Sequence, residues 1–159
     1  MNISYLLIGG NEEDRIGTMT AAREQIQAAA GTIRKQSSLY ETAPWGKTDQ
    51  ADFLNQALLL ETGLDATSLI QTLLAVEETM GRQRKEKYGS RIIDIDILFF
   101  NDAIIRQPGL VIPHPEIQNR RFVLAPLAEI AGEYIHPVLG VSVRELLINC
   151  TDPLAVKKL

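Results

Sequence analysis

Lys87 to Phe100 reads KYGSRIIDIDILFF, and taking Arg91 to Phe99 as a strand fixes both a sheet and a chemistry. Side chains alternate along a strand, so Arg91, Ile93, Ile95, Ile97 and Phe99 share one face, while Ile92, Asp94, Asp96 and Leu98 share the other. The two carboxylates then stand roughly 6.5 Å apart along the strand, a separation at which they can share one divalent cation or flank a pair. Like charges held that close without a cation cost stability. Ile92 and Leu98 bracket the acids on their own face, so this is a polar insertion in an apolar surface rather than the plain wet side of an antiparallel strand. Immediately upstream come Arg82, Arg84, Lys85, Lys87 and Arg91. Cations followed by paired acids suggest a metal with a polyphosphate, because Mg²⁺ is held by few carboxylates plus phosphate oxygens and arginine forks match phosphate geometry.

The rest of the chain limits what that site can serve. A length of 159 residues suits one domain spanning 1–159. The formal charge is −4 and the pI about 5.2, so the surface does not recruit nucleic acid by charge, and the basic stretch is a local feature fitted to a small anion. One cysteine, Cys150, excludes an internal disulfide and fits a reducing compartment; two histidines are too few for a zinc cage. No apolar run approaches the roughly 18 residues of a membrane span, and MNISYLLIGGN lacks a basic leader, which points to the cytosol.

Outward from the acidic strand, the elements alternate. Ile3 to Ile8 reads as a buried strand leaving into a turn at Gly9-Gly10-Asn11. A helix follows from Asp14 to the stop at Gly31, then a strand over Thr32 to Thr42. The loop from Ala43 to Gln50 carries Trp45, the single tryptophan, which suits either a plug on the core or a lid on a flat ligand. Phe53 to Leu60 resumes as a strand. Asp65 caps a helix with Leu69, Leu73, Val76 and Met80 on one stripe and Gly81 at its end. Glu77, next to that stripe, reads as surface unless the basic loop brings it a ligand. Beyond the acidic strand, Asn101-Asp102 is a turn and Ala103 to Ile105 a short returning strand. Leu110 to Pro115 is extended, with His114 fixed between prolines. An apolar segment to Ile130 is helical, with Pro126 tolerable only in a first turn. Ser142 to Glu145 is a capping box opening a short helix through Ile148, and the tail from Asp152 is ancillary. The order strand, helix, strand, strand, helix, strand predicts an α+β fold with a ferredoxin-like βαββαβ antiparallel sheet, both helices on one face, and extra C-terminal elements.

The run KYGSRIIDIDIL resembles the signature of the hydroxymethyl-dihydropterin pyrophosphokinase family of folate synthesis. YLLIGGN, SSLYETAPWG, DFLNQAL, EETMGRQR, IPHP and NRRFVLAPL carry the likeness along most of the chain, in the family's order. The resemblance implies transfer of a diphosphate from ATP to a pterin alcohol, on two Mg²⁺ ions held by Asp94 and Asp96. It implies phosphate contacts from Arg82, Arg84 and Arg91, with Arg82 and Arg91 stabilising the transferring group once their loop closes. It places Glu77, Ile97 and His114 toward the nucleotide. Thr42, Asn55 and the backbone around Ala43 and Trp45 would bond the pterin edge, with Phe53 and Phe122 stacking on its faces. Asn119 and one of Arg120 and Arg121 belong to the same motif. The chain departs from the family pattern at Gly10 (commonly serine), Ala43 (proline), Phe53 (tyrosine) and Tyr88 (tryptophan), and at Gly109 and Val111, where some relatives carry arginine and threonine. Small-molecule substrates and a monomer follow from the resemblance. From the residues alone, a palm-like nucleotidyltransferase and a regulatory module binding a small ligand without turnover remain alternatives.

Overall fold

The computed structural model describes residues 1–12, 14–43, 51–81 and 92–159. β1 (Asn2–Gly10) is followed by α1 (Arg15–Ala29), β2 (Thr32–Gln36), β3 (Tyr40–Thr42), β4 (Phe53–Thr62), α2 (Ala66–Thr79) and β5 (Asp94–Phe100). A hairpin of β6 (Ile105–Gln107) and β7 (Leu110–Ile112), a 3-10 turn (Ile117–Asn119), α3 (Arg121–Ala131), α4 (Val143–Ile148) and β8 (Val156–Lys158) complete the chain. The fold is mixed α and β. β5, β1, β4, β3 and β8 pair in that order, all antiparallel, and β2 also pairs with β4.

The helices start where short polar side chains can take their first free N–H groups. Asp14 accepts from Gly17, Asp65 from Ser68 and Ser142 from Glu145. α1 and α2 cover one face of the sheet: Met19, Ile26, Leu69 and Leu73 close over Leu6, Ile8, Leu58, Ile95 and Ile97. α3 and α4 lie on the opposite face, where Val123, Leu124, Leu127 and Val143 pack on Leu7, Ala57, Leu98 and Phe99.

Six sequence-based expectations are corrected. Gly9 and Gly10 extend β1 rather than turning out of it, because Gly9 pairs with both Asn55 and Asp94. The strand expected over Thr32 to Thr42 is broken: Ser37 turns its hydroxyl to the Ala57 N–H, and its carbonyl takes the Gln56 amide. The acidic strand begins at Asp94, and a bulge leaves Leu98 without a β1 partner. That extra residue moves Phe99 off the isoleucine face into the α3-side core. The short strand placed at Ala103 to Ile105 lies instead at Ile105–Gln107, paired with β7 across Pro108-Gly109. Gly109 has φ +78, which a turn with proline before it requires and an arginine there would strain. Pro126 sits in the second turn of α3, not the first. Burial of the stripe holding Val123, Leu124 and Leu127 outweighs the helical hydrogen bond that proline cannot donate. Finally, the tail is part of the sheet, β8 pairing residue for residue with β3.

Candidate active site

Two cross-strand rows run over the α3-side face. Tyr40, Asn55, Gly9 and Asp94 are aligned across four strands, and Ala57, Leu7 and Asp96 form the next row. Asp94 and Asp96 are both half-buried on β5, the edge of the sheet. Ile95 between them points into the opposite core, and the carboxylate of Glu77 accepts its N–H at 2.6 Å. Glu77 is only 3% exposed, so it is not the surface residue its place near a helix end suggested; it secures the edge strand from beneath. Ile97 likewise turns its side chain into the α1/α2 core, which confines any contact it makes with a nucleotide to its main chain.

The bulge on β5 positions a histidine. The carbonyl of Leu98 accepts the His114 N–H at 3.0 Å. His114 Nδ1 accepts the Glu116 N–H, so the neutral ring carries its proton on Nε2. Burial, reinforced by the Arg120 charge and opposed by Glu116 and Asp94, pushes the His114 pKa below its ordinary value. Asn119 is turned back onto Glu116 and braces this loop.

On the other side of the gap at Gly9, Asn55 donates its amide to Thr42 Oγ1 at 2.8 Å. Both are nearly inaccessible, 4% and 2% exposed. A Cβ at Gly9 would lie 2.3 Å from Asn55 Oδ1, so the glycine is what lets the amide lie flat over β1. Phe53 pairs with Thr42 at the outer end of this row. Phe122 occupies the first turn of α3, partly buried against the α3-side core, with the Arg120 guanidinium 5.7 Å from its ring centre. The two arginines lie in different surroundings. Arg121 is drawn away by the carbonyls of Cys150 and Asp152, which leaves Arg120 beside Phe122 and within electrostatic reach of His114.

Ala43 is the last described residue before 44–50, its N–H toward the Ala155 carbonyl. Trp45, Arg82, Arg84 and Arg91 lie outside the described residues, as do Lys85, Lys87 and Tyr88. Sequence reasoning missed the groups that hold Ala51 and Asp52, where the described chain resumes. Asn11 donates to the Ala51 carbonyl, while Arg15 donates to the Asp52 carbonyl and pairs with Glu41 at 2.8 Å. Asn11 was visible as the end of YLLIGGN; nothing in the pattern marked Arg15.

Residues 5–132 match the family described as 7,8-dihydro-6-hydroxymethylpterin-pyrophosphokinase (HPPK). The chain belongs to this family. Among its pyrophosphokinase relatives, the 2-amino-4-hydroxy-6-hydroxymethyldihydropteridine pyrophosphokinase of Methylorubrum extorquens is 38% identical over 159 residues, 99% of each chain. The Bacillus subtilis enzyme of the same name is 44% identical over 133 residues, covering 83% of this chain and 80% of its own. In solved structures, the HPPK-DHPS chain of Plasmodium falciparum superposes with a TM-score of 0.77 at 21% identity. That match covers 92% of this chain but 43% of the longer one, and establishes likeness of fold.

Among the described residues no group of three or more acidic, histidine or cysteine side chains converges as a metal cage. A hard cation that takes one or two carboxylates and fills its remaining positions with phosphate and water fits what Asp94 and Asp96 offer.

Proposed function

We propose that the protein transfers the diphosphate of ATP to the hydroxymethyl group of 6-hydroxymethyl-7,8-dihydropterin, releasing AMP and the pterin diphosphate in folate synthesis. The observation that carries this reading is the alignment of the Asn55–Thr42 pair, Gly9 and the Asp94/Asp96 pair along one stretch of sheet, in a chain of the pyrophosphokinase family. The pterin would enter on the Asn55 side, its ring between Phe53 and Phe122, and the triphosphate on the aspartate side. The hydroxyl then needs only to be aimed at the β-phosphorus. The new bond is oxygen to β-phosphorus, the broken one joins the β-phosphorus to the α–β bridging oxygen, and that oxygen leaves on AMP as the hydroxyl proton is lost.

Asp94 and Asp96 would hold two Mg²⁺ ions, which supply charge neutralisation on the phosphates. Arg82, Arg84 and Arg91 would bind the triphosphate, the first and last stabilising the transferring group. Neutral His114 would offer its Nε2–H to the nucleotide, with Arg120 close behind. Glu77 would act by holding β5, and Ile97 through its main chain. The strand order β5-β1-β4-β3, with α1 and α2 on one face, supports a ferredoxin-like sheet, and residues 1–159 are read as one pyrophosphokinase domain. A net charge of −4 and a single cysteine support a monomer acting in the cytosol on small molecules rather than nucleic acid. Incubation with ATP, Mg²⁺ and the pterin should yield AMP and pterin diphosphate in equal amounts. Formation of ADP, or release of free pyrophosphate, would overturn the assignment.

A further inference from the structure

The segment after Cys150 lies beyond residues 5–132, where the family match ends, yet it touches both walls of the proposed pterin pocket. α3 begins without a cap of its own: the Arg120 side chain, at the capping position, makes no capping hydrogen bond, and the first turn contains no acid. Asp152 supplies both from a distance. Its Oδ2 accepts the Arg121 N–H at 3.0 Å, and Oδ1 accepts the Leu154 N–H at 3.0 Å. The contact is reciprocal, because Arg121 Nη2 donates to the carbonyls of Asp152 at 3.1 Å and Cys150 at 2.9 Å, and Nε donates to that of Asp152 at 3.3 Å. Asp152 is 6% exposed. A carboxylate buried at a helix N-terminus is favoured by the free N–H groups and the helix dipole.

A few residues on, the same segment is bound to the opposite wall. Val156 pairs with Thr42, the Ala43 N–H points to the Ala155 carbonyl at 3.5 Å, and Leu159 donates to the Leu39 carbonyl. Residues 152–159 therefore span from the start of α3, which bears Phe122 and follows Arg120, to the strand that bears Thr42.

We propose that this segment is a clasp that sets the width of the pterin pocket, with Asp152 as its positioning residue. The proposal rests on the pterin reading of the site. Asp152 touches no substrate; it orients the first turn of α3, so its loss should appear in pterin capture and not in the chemical step. In the full-length Asp152→Ala variant the KM for pterin should rise about tenfold, with kcat and the KM for ATP each within about threefold of wild type. Asp152→Asn should recover part of that rise, because its amide oxygen replaces one of the two acceptors. Arg121→Met, which spares the backbone contact, should shift pterin KM in the same direction by less, and carries the test if Asp152→Ala does not fold. Adding Asp152→Ala to Arg121→Met should cost less than the two separate effects combined.

An unchanged pterin KM in Asp152→Ala would overturn the proposal. So would a parallel loss of kcat and of both substrate affinities, which marks general loosening. Hydrogen exchange gives a readout free of activity: the amides of Phe122 to Leu124 should exchange faster in Asp152→Ala while those of Leu6 to Ile8 do not. If the wild-type protein forms no AMP while Asp152→Ala still shows this exchange pattern, the pterin reading is refuted and the clasp's hold on α3 stands.

Discussion

The two faces of the sheet are built from the same strands and differ in how far they are covered. On the α1/α2 face, Leu6, Ile8, Leu54, Leu58, Leu60, Ile95 and Ile97 join Met19, Ile26, Leu69 and Leu73 in one core, and the buried Gln56 and Glu77 side chains on this face are held by hydrogen bonds. On the α3 face the cover stops part-way. Leu7, Ala57, Leu98 and Phe99 pack with α3, while Gly9, Asn55, Asp94 and Asp96 continue the same strands, the first two buried and the aspartates half-buried. The proposed site therefore lies where the apolar packing of an otherwise ordinary sheet face gives way to polar groups. One face supplies stability and leaves the other free to hold charged and polar groups at fixed positions.

Removing a carboxylate tests this division most severely. Asp96→Ala should lower kcat by about 10³-fold, about 4 kcal/mol of barrier, because it deletes charge at the reacting phosphates. The half-buried position should change unfolding free energy by only about 0.5 kcal/mol. Denaturant melts and steady-state rates on one preparation check both; a large stability loss with normal turnover would make the aspartate structural and break the comparison.

Leu58→Ala should do the reverse. Leu58 is fully buried on the α1/α2 face, and truncating such a residue costs about 2–5 kcal/mol of stability. Turnover per folded molecule should hold within about twofold, measured well below the shifted midpoint.

Gly9→Ala joins the two effects on one residue. The added methyl would sit 2.3 Å from Asn55 Oδ1 and 3.1 Å from the Leu54 carbonyl. The amide is tied to Thr42 and cannot simply swing aside, so a cost of about 1–3 kcal/mol is expected, with a raised pterin KM and an unchanged ATP KM. Calorimetric titration with each substrate separately checks the asymmetry.

How much of this was legible in the sequence follows from how far apart the interacting groups lie. The helices were readable because Asp14, Asp65 and Ser142 each find their partner N–H three residues on. The acids at Asp94 and Asp96 were readable from strand alternation, and Asn55 with Thr42 from the family motifs. The bulge at Leu98 was not, since it depends on how β5 meets β1 and on His114 reaching back to take the freed carbonyl. The sequence NRRF offers two equivalent arginines, and what separates them is an aspartate 31 residues downstream. Glu77 read as surface because the strand N–H it serves belongs to an edge created by tertiary pairing.

The smallest effect concerns pH. The α3 side holds Tyr40, whose hydroxyl donates to Glu129 on α3 at 2.7 Å. Burial, then the hydrogen bond and the negative charge of Glu129, push the Tyr40 pKa up to about 12 from 10.0. A pKa raised on folding stabilises the native state fully below the unfolded value and is lost as pH rises through the folded one, here between about 10 and about 12. His136 works in the opposite window. Burial lowers its pKa, so the folded state resists protonation, and stability falls as pH drops below the ordinary value of 6.5. Urea midpoints measured from pH 5 to 11 should therefore decline at both ends. Tyr40→Phe should lose part of the alkaline decline, because it removes the titrating hydroxyl, whereas Leu58→Ala should keep the wild-type slope at a lower midpoint. If both variants shift in parallel, the alkaline loss arises elsewhere and the contrast between the faces does not extend to proton linkage.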